Sequence, residues 1–418
     1  MRVLHVIPSL STAHGGPSRA IRLIEDALLG RGITVETATT DDDGPGLRTG
    51  KRCAVLLAEN GRARRYFPKR MEFYKVSPGF ARWIFGHVRD YDLVHIHALF
   101  SFTSVVAAWA ARKAGVPYVV RPLGTLNRYG VKQRRPWLKR LSLKLIEGPI
   151  LRHAAAVHFT AMAEQMEAGE LGFPLRAVVI PLGIEPTEGD ASVFLARYPE
   201  LLDYRVLLYL SRLDPKKNIE SLLRAFSQIV GLPRDGVDLV GSPLAGRGGL
   251  KPALQKYALS DVRLVIAGNG VAGYVASLKK LADELQISDK VLWTGNLNGE
   301  LKAGAFAAAQ IFVLPSFSEN FGIAAAEALM AGLPCVLGEG VAIADEVAKG
   351  GAGLVTAPDP KAIAQAVQTL LGDDNSSADM GRCAAVLARE RYSLAAMGAS
   401  LHALYSKILT QKSPRLVE

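Results

Sequence analysis

Short apolar runs alternate with longer segments of helical period along almost the whole of this chain, the pattern of an α/β architecture built on parallel sheets. In the first half the runs Arg2 to Ile7, Thr34 to Ala38, Leu93 to Ile96, Tyr118 to Arg121, Ala156 to Phe159 and Ala177 to Ile180 predict strands. Helices are predicted over Pro17 to Gly30, Thr103 to Ala114 and Trp137 to Arg152. A new series opens at Arg205 to Leu210 and continues through Val262 to Ala267, Val291 to Thr294, Ile311 to Leu314, Cys335 to Leu337 and Gly353 to Thr356. The second half thus repeats the architecture of the first, and no sequence repeat underlies the likeness.

The two series divide at Pro181 to Asp203, where Pro181, Gly183, Pro186, Gly189 and Pro199 predict a linker. A chain of 418 residues exceeds the size at which one hydrophobic core stops growing, so two domains are expected, 1–184 and 185–393. The amphipathic pattern over Leu394 to Leu409 predicts a last helix, within 394–418, that packs back on the first domain. Gly231 to Ser260 breaks the alternation with dense glycine and proline and reads as a loop insertion.

Composition narrows the class. Apolar residues make up 49% of the chain and no biased tract interrupts them, which describes a soluble globular protein. No apolar stretch approaches the roughly 20 residues of a membrane helix, and the first strand is not followed by a signal-peptide pattern. Cys53, Cys335 and Cys383 are few, odd in number and without metal-ligand spacing, which fits a reducing cytoplasm. The net charge of +11 is unevenly placed: from Lys51 to Arg152, 21 lysines and arginines stand against five acids, so the remainder is net acidic. Such asymmetry predicts that one half meets nucleic acid, phospholipid headgroups or a diphosphate-linked acceptor.

Candidate chemistry collects at strand ends. Ser316-Phe317-Ser318-Glu319-Asn320-Phe321-Gly322 follows the strand Ile311 to Leu314 and leads into a helix-forming run, Ile323 to Ala331, that carries Glu327. Glu319 then lies at the carboxyl edge of a parallel sheet, where ligands bind, beside helix amides that can face an anion. Two glutamates so placed are either the wall of a long ligand site or ordinary helix decoration. Arg212 and Lys217, in Ser211-Arg212-Leu213-Asp214-Pro215-Lys216-Lys217-Asn218, are suited to a diphosphate or else belong to a solvated basic loop. Gly268-Asn269-Gly270 and Gly295-Asn296-Leu297 are glycine turns at two further strand ends, so four strands of one sheet end as those of a nucleotide crevice do.

In the first half, His14-Gly15-Gly16-Pro17 opens a helix as a tight turn or a phosphate contact, without the dinucleotide fingerprint. His95-Ile96-His97 ends a strand, with alternation expected to send one imidazole to each face or past the edge. Neither a carboxylate nor a third histidine is near in sequence, so no metal is expected there. Arg121, Gly124, Thr125 and Arg128 form another strand-end loop. It runs into the cationic stretch Lys132 to Arg140, whose apolar companions Trp137, Leu138, Leu141, Leu145 and Ile146 read as a core stripe or a membrane-facing one.

In order and spacing these segments resemble glycosyltransferase family 4, the retaining group 1 enzymes of the GT-B fold, over nearly the whole chain. The resemblance implies two Rossmann-like domains facing each other across a deep cleft, acceptor on the N-terminal one and donor on the C-terminal one. It implies that Arg212 and Lys217 hold the donor diphosphate with the amides of Phe321 and Gly322, with Gly15 and Gly16 near the phosphate. Glu319, with Asn320 and Phe321, would take the hexose. Glu327 would take the ribose, and Gly268 with the Gly295, Asn296 and Leu297 turn would frame ribose and base. His97 would lie near the reacting sugar, and Arg121, Gly124, Thr125 and Arg128 on the acceptor side. No metal and no other cofactor is implied. The expected reaction moves a hexose, UDP-linked by default, to a saccharide or lipid-linked acceptor in polysaccharide biosynthesis, in the cytoplasm and peripherally at the inner membrane face. A sugar-nucleotide epimerase of the same fold is the alternative, and a nucleic-acid-binding protein a remote one, since aromatic interleaving and a recognisable binding module are absent.

Overall fold

The computed structural model describes residues 1–11, 16–44, 46–51, 54–59, 61–126, 141–186, 188–231 and 261–411. The glycine-rich insertion from 232, the segment 127–140 with Arg128 and the basic run, and Gly15 lie outside them. Contacts divide the chain into two compact units, Met1–Gly183 with Ser393–Glu418, and Ile184–Tyr392.

The first unit carries a sheet of eight strands: β1 (Arg2–Val6), β2 (Thr34–Thr40), β3 (Leu56–Glu59), β4 (Arg62–Phe67), β5 (Leu93–His97), β6 (Tyr118–Arg121), β7 (Ala156–Phe159) and β8 (Ala177–Val179). Their spatial order is β3-β4-β2-β1-β5-β6-β7-β8, parallel throughout except for the antiparallel pair β3–β4. Six of these match the apolar runs. β3 and β4 do not, because β4 reads Arg-Ala-Arg-Arg-Tyr-Phe and carries its charge into the fold. Arg64 pairs with Glu25 at 2.6 Å with both side chains buried, Arg62 reaches Asp26 at 2.6 Å, and Arg65 reaches Glu36 at 2.9 Å. Part of the basic surplus is therefore neutralised inside the unit by acids that precede the basic segment in sequence. Leu4, Val6, Val94, Ile96, Val120 and Val157 form the apolar face of the sheet, against the helices Pro78–His87 and Phe102–Ala114. The helix Leu394–Gln411 packs on the helix Gly16–Leu29, whose Ala27 carbonyl lies so near Gly398 that a Cβ there would stand 2.6 Å from it.

The predicted helix Trp137 to Arg152 is described only from residue 141, and there it is not one regular helix. Leu143–Glu147 is a π-turn, and Gly148–His153 continues as α-helix. Pro149 has no amide to give the helix, and Gly148 donates five residues back to Leu143. A Cβ on Gly148 would lie 2.6 Å from that carbonyl, so glycine is required.

The second unit is a six-stranded parallel sheet: β9 (Arg205–Leu210), β10 (Val262–Ala267), β11 (Val291–Gly295), β12 (Ile311–Leu314), β13 (Cys335–Gly338) and β14 (Gly353–Thr356). The order β11-β10-β9-β12-β13-β14 reverses direction between β9 and β12. That reversal is the topological switch point of a doubly wound sheet, where the loops leaving neighbouring strands part and open a crevice. All six predicted strands are present. The predicted linker is only partly one: it contains the helix Ala191–Arg197, capped by the Asp190 side chain, which accepts from the Ser192 amide at 2.8 Å. Phe194 on that helix is fully buried, and Gly304 on the helix Gly299–Ala308 admits it, since a Cβ there would stand 3.1 Å from the Phe194 Cβ.

Candidate functional site

Both sequence-predicted elements that flank the switch point of the second unit deliver charged side chains to it. After β9 the chain makes a single 3-10 turn, Pro215–Lys217, whose Asp214 cap accepts from the Lys216 amide. Asn218 follows in the left-handed region at φ 57°, and its side-chain amide donates to the carbonyls of Pro315 at 3.2 Å and Pro358 at 2.8 Å. Phe317 donates from its amide to the Lys216 carbonyl at 2.9 Å, and Glu319 from its amide to Gly340 at 2.8 Å. Loops leaving four strands are thereby laced into one rigid rim. On it Lys217 Nζ donates to Glu319 Oε1, with both side chains mostly buried.

The helix Ile323–Met330 begins at Gly322, which lies at φ 90° against Val341 and so holds a conformation that a side chain would strain. The first amide to donate back along the helix is that of Ala326, to Gly322 at 3.0 Å. Earlier amides have no intrahelical acceptor, and with the helix dipole they make an anion-facing end. Phe321 is buried, Asn320 exposed. Arg212 stands out in solvent, its side chain 68% exposed and 3.8 Å from Asp214. Ser316 Oγ, fully buried, has no hydrogen-bond partner among the described residues.

Glu327 is not a solvated helix residue: its side chain is 4% exposed. Both its oxygens accept from Lys302 Nζ at 2.7 Å, a partner that nothing in the sequence pattern announced. The glycine turns fit closely. Gly268, at φ 146°, passes so near Ser211 that a Cβ would meet its carbonyl at 1.9 Å, and its amide donates to Gly295 at 2.8 Å. Gly270 pairs with Leu213, and Gly295 sits at φ 68° ahead of exposed Asn296 and buried Leu297.

In the first unit the structure corrects the expectation that His95 and His97 point to opposite faces. Residues two apart in a strand share a face, and the rings lie 4.2 Å apart. Their face also receives His5, opposite His95 in register, and Arg121, opposite His97, while His158 from β7 reaches the same cluster. All five are buried. The hydrogen bonds fix a chain of tautomers. His158 Nε2 donates to the Ile180 carbonyl at 2.8 Å, so its Nδ1 accepts from His95 Nε2 at 3.4 Å. His95 Nδ1 then accepts from the Tyr405 hydroxyl at 2.7 Å, which the helix Leu394–Gln411 supplies.

His97 Nε2 and His5 Nδ1 share a proton at 3.0 Å, while His97 Nδ1, His5 Nε2 and the Nε and Nη1 of Arg121 lack partners among the described residues. Burial first, then the Arg121 charge, pulls His5 down to about 3, and the same two causes pull His158 there too. Burial lowers His95 and His97 as well. The ligand atoms of His5, His95 and His97 lie within 4.8 Å of one another, close enough for a cation to touch all three. The Arg121 guanidinium beside them opposes one, and burial keeps the four imidazoles neutral.

Glu164 anchors the predicted acceptor loop. It accepts from the amides of Gly124 and Thr160, each at 2.8 Å, and Thr125 Oγ1 donates to Pro122 at 2.7 Å. Ala98, Phe100 and Leu123 in these strand-end loops hold φ of 95°, 55° and 57°, strain of the kind that collects at functional loops. Glu147, at the end of the π-turn, accepts from the Tyr74 hydroxyl at 3.1 Å and the Phe100 amide at 3.0 Å, and its other oxygen is buried without a partner among the described residues. Burial pushes its carboxyl from 4.5 up to about 7 against those two bonds. The folded chain keeps a proton that the unfolded chain loses, so this stabilisation is complete below pH 4.5 and is lost as the pH rises to about 7. Relative to Glu147→Gln, the wild type is expected to lose on the order of 3 kcal/mol of unfolding free energy across that window. Urea melts at both ends of it check this; parallel profiles refute it.

These units match known families. Residues 195–385 match the model described as glycosyl transferases group 1, and residues 15–183 the glycosyl transferase 4-like domain. A D-inositol 3-phosphate glycosyltransferase of Streptomyces avermitilis is 29% identical over 316 residues, 71% of this chain and 61% of that protein. A 2-deoxystreptamine glucosyltransferase of Streptomyces kanamyceticus is 27% identical over 68% of each. The chain spans 44% of the length of another relative, from Corynebacterium efficiens. Among solved structures, sucrose-phosphate synthase from Thermosynechococcus elongatus superposes with a TM-score of 0.74 at 19% identity, over 98% of this chain and 100% of that one. Anabaena HepE in complex with UDP does so at 0.74 and 21%, over 97% and 100%. The fold is that of the GT-B glycosyltransferases, two parallel-sheet α/β units. The chain belongs to the group 1 glycosyltransferases. No helix among the described residues is long and apolar enough to cross a membrane.

Proposed function

We propose that this protein is a retaining, metal-independent hexosyltransferase that takes its sugar from a UDP-linked donor and passes it to a saccharide or lipid-linked saccharide in polysaccharide biosynthesis. The observation that carries the reading is the Lys217–Glu319 pair on a rim that also holds Arg212 and the start of the helix Ile323–Met330. Support for the base comes from HepE, solved with UDP and with UDP-glucose.

Breaking the bond between the sugar and the diphosphate leaves negative charge on the nucleoside diphosphate. Lys217, Arg212 and the amides of Phe321 and Gly322 meet that charge from preset positions, which is the largest contribution a protein makes to such a step. When the diphosphate draws the Lys217 ammonium, Glu319 is released to accept from the hexose hydroxyls, with Asn320 and Phe321 beside it. Glu327 takes the ribose, and Gly268 with the Gly295, Asn296 and Leu297 turn frames the nucleoside. In the first unit Gly16 opens its helix at the switch between β1 and β5. His97 and Arg121 end neighbouring strands on the sugar and acceptor side, with Gly124 and Thr125 in the loop that Glu164 holds. Exposed Phe73 and Leu145, next to Lys144, suit peripheral contact with an anionic bilayer at the cytoplasmic face.

The test is a donor screen with UDP-, GDP- and ADP-hexoses, with and without a saccharide acceptor and in the presence of a chelator. Acceptor-dependent release of UDP that persists in chelator is expected. Conversion of the donor to an epimer without acceptor favours the epimerase reading and overturns this one.

A further inference from the structure

Asn218 directly precedes the helix Ile219–Val230, where an asparagine ordinarily turns its side-chain oxygen onto the second or third helix amide. Here it makes no such cap. Its backbone lies at φ 57° in place of the extended conformation of a capping residue, and its Nδ2 donates to the carbonyls of Pro315 at 3.2 Å and Pro358 at 2.8 Å. An amide nitrogen carries two hydrogens in one plane, so both are committed, one to each carbonyl. The residue is 3% exposed, which makes these bonds costly to lose. The two carbonyls belong to other strand ends: Pro315 follows β12 and comes four residues before Glu319, and Pro358 lies between β14 and the helix Pro360–Gly372. On its other side Asn218 adjoins Lys217, whose Nζ donates to Glu319. The plane of one amide therefore sets the backbone of Lys217 against the loop that carries its partner.

We infer that Asn218 is a positioning residue of the donor site, acting through Lys217 to hold the ammonium where it meets the diphosphate. The inference rests on the reading of Lys217 as a diphosphate ligand. Asn218 acts only through its neighbour, so its loss is felt where Lys217 is present to be misplaced and not where Lys217 is already gone. Without the two bonds the turn Pro215–Lys217 keeps its Asp214 cap, and the Phe317 amide still reaches the Lys216 carbonyl, so the turn is loosened and not freed. The left-handed backbone narrows the choice of residue: asparagine adopts it readily, and glycine adopts it with no side-chain donor to offer.

The experiment measures UDP binding to the full chain by calorimetry, with melting temperatures alongside, in a double-mutant cycle of wild type, Asn218→Gly, Lys217→Ala and the double variant. Lys217→Ala is expected to weaken UDP by roughly 10–100-fold, the worth of a hydrogen bond between charged groups. Asn218→Gly keeps the backbone conformation and removes both donors. It should weaken UDP about 10-fold in the wild-type background and less than about 2-fold once Lys217 is alanine, while lowering the melting temperature equally in both. Asn218→Ser keeps one shorter donor and should fall between asparagine and glycine, and it takes the glycine variant's place in the cycle if that variant does not fold. A purely structural role leaves UDP affinity unchanged or weakens it equally in both backgrounds; either result overturns the inference and leaves the diphosphate reading standing. If Lys217→Ala binds UDP as tightly as wild type, or wild type does not bind UDP, the diphosphate reading fails and takes the inference with it.

Discussion

Replacing Lys217 by alanine is expected to lower kcat of the transfer reaction by about 10²–10³-fold, the loss seen when one preset donor is taken from a developing anion. The residue sits where a tight turn and charge converge. Its backbone ends the 3-10 turn held by Asp214, its Nζ is bound to Glu319, and its side chain is 10% exposed. Removing the ammonium takes a counterion from the departing diphosphate and leaves the Glu319 carboxylate facing it with like charge. The turn is held by backbone and Asp214 contacts, so the variant is expected to fold, with a stability loss of up to about 3 kcal/mol because the mostly buried Glu319 carboxylate loses its partner. Arg212→Ala is the companion measurement. That side chain is exposed and supports nothing in the core, so a comparable loss of turnover with unchanged melting can only report on ligand chemistry. Full turnover in both variants sinks the diphosphate assignment.

Gly268→Ala is expected to damage the second unit more than any other single methyl on the rim. The new Cβ would stand 1.9 Å from the Ser211 carbonyl, and the backbone there holds φ 146°, which side chains avoid. The neighbour is backbone at the end of β9 and cannot swing aside as a side chain would, so the ends of β9 and β10 must separate. Overpacking and backbone strain each cost about 1–3 kcal/mol, so a loss of roughly 2–5 kcal/mol follows. Separation also moves Arg212 and Lys217, so nucleotide affinity should fall with stability. Denaturant titration and UDP calorimetry on the same variant test the pair; an unchanged midpoint would falsify the packing account.

The reach of sequence reading is uneven for physical reasons. Every strand of the second unit was legible because parallel strands buried on both faces are near-continuous apolar runs. β4 was not, because its arginines are buried by pairing with Glu25, Asp26 and Glu36, and pairing leaves no local pattern. The same pairing thins the basic surplus that the linear count displayed. The predicted linker hid a helix because Pro181, Gly183, Pro186 and Gly189 dominate its composition, whereas Asp190 and Phe194, which build it, are single residues. The loop after β6 was read as a strand-end loop and Glu327 as a helix residue, while their partners, Glu164 and Lys302, went unseen. Glu164 lies 40 residues from Gly124 and Lys302 lies 25 from Glu327, beyond the reach of any helical or strand period.

By itself the sequence determined the two-fold α/β architecture, the strand-end positions of Arg212, Lys217, Glu319 and His97, and the family. The architecture and the strand-end positions follow from periodicity and from turn residues, which are properties of neighbouring positions, and the family from the resemblance of the ordered segments. Tertiary structure alone decided the partners: Lys217 on Glu319, Lys302 on Glu327, and His5, His158 and Tyr405 around His95 and His97. A side chain's charge, orientation and proton depend on what the fold brings within about 3 Å of it, and hydrogen bonds fall off too steeply for sequence distance to stand in for that.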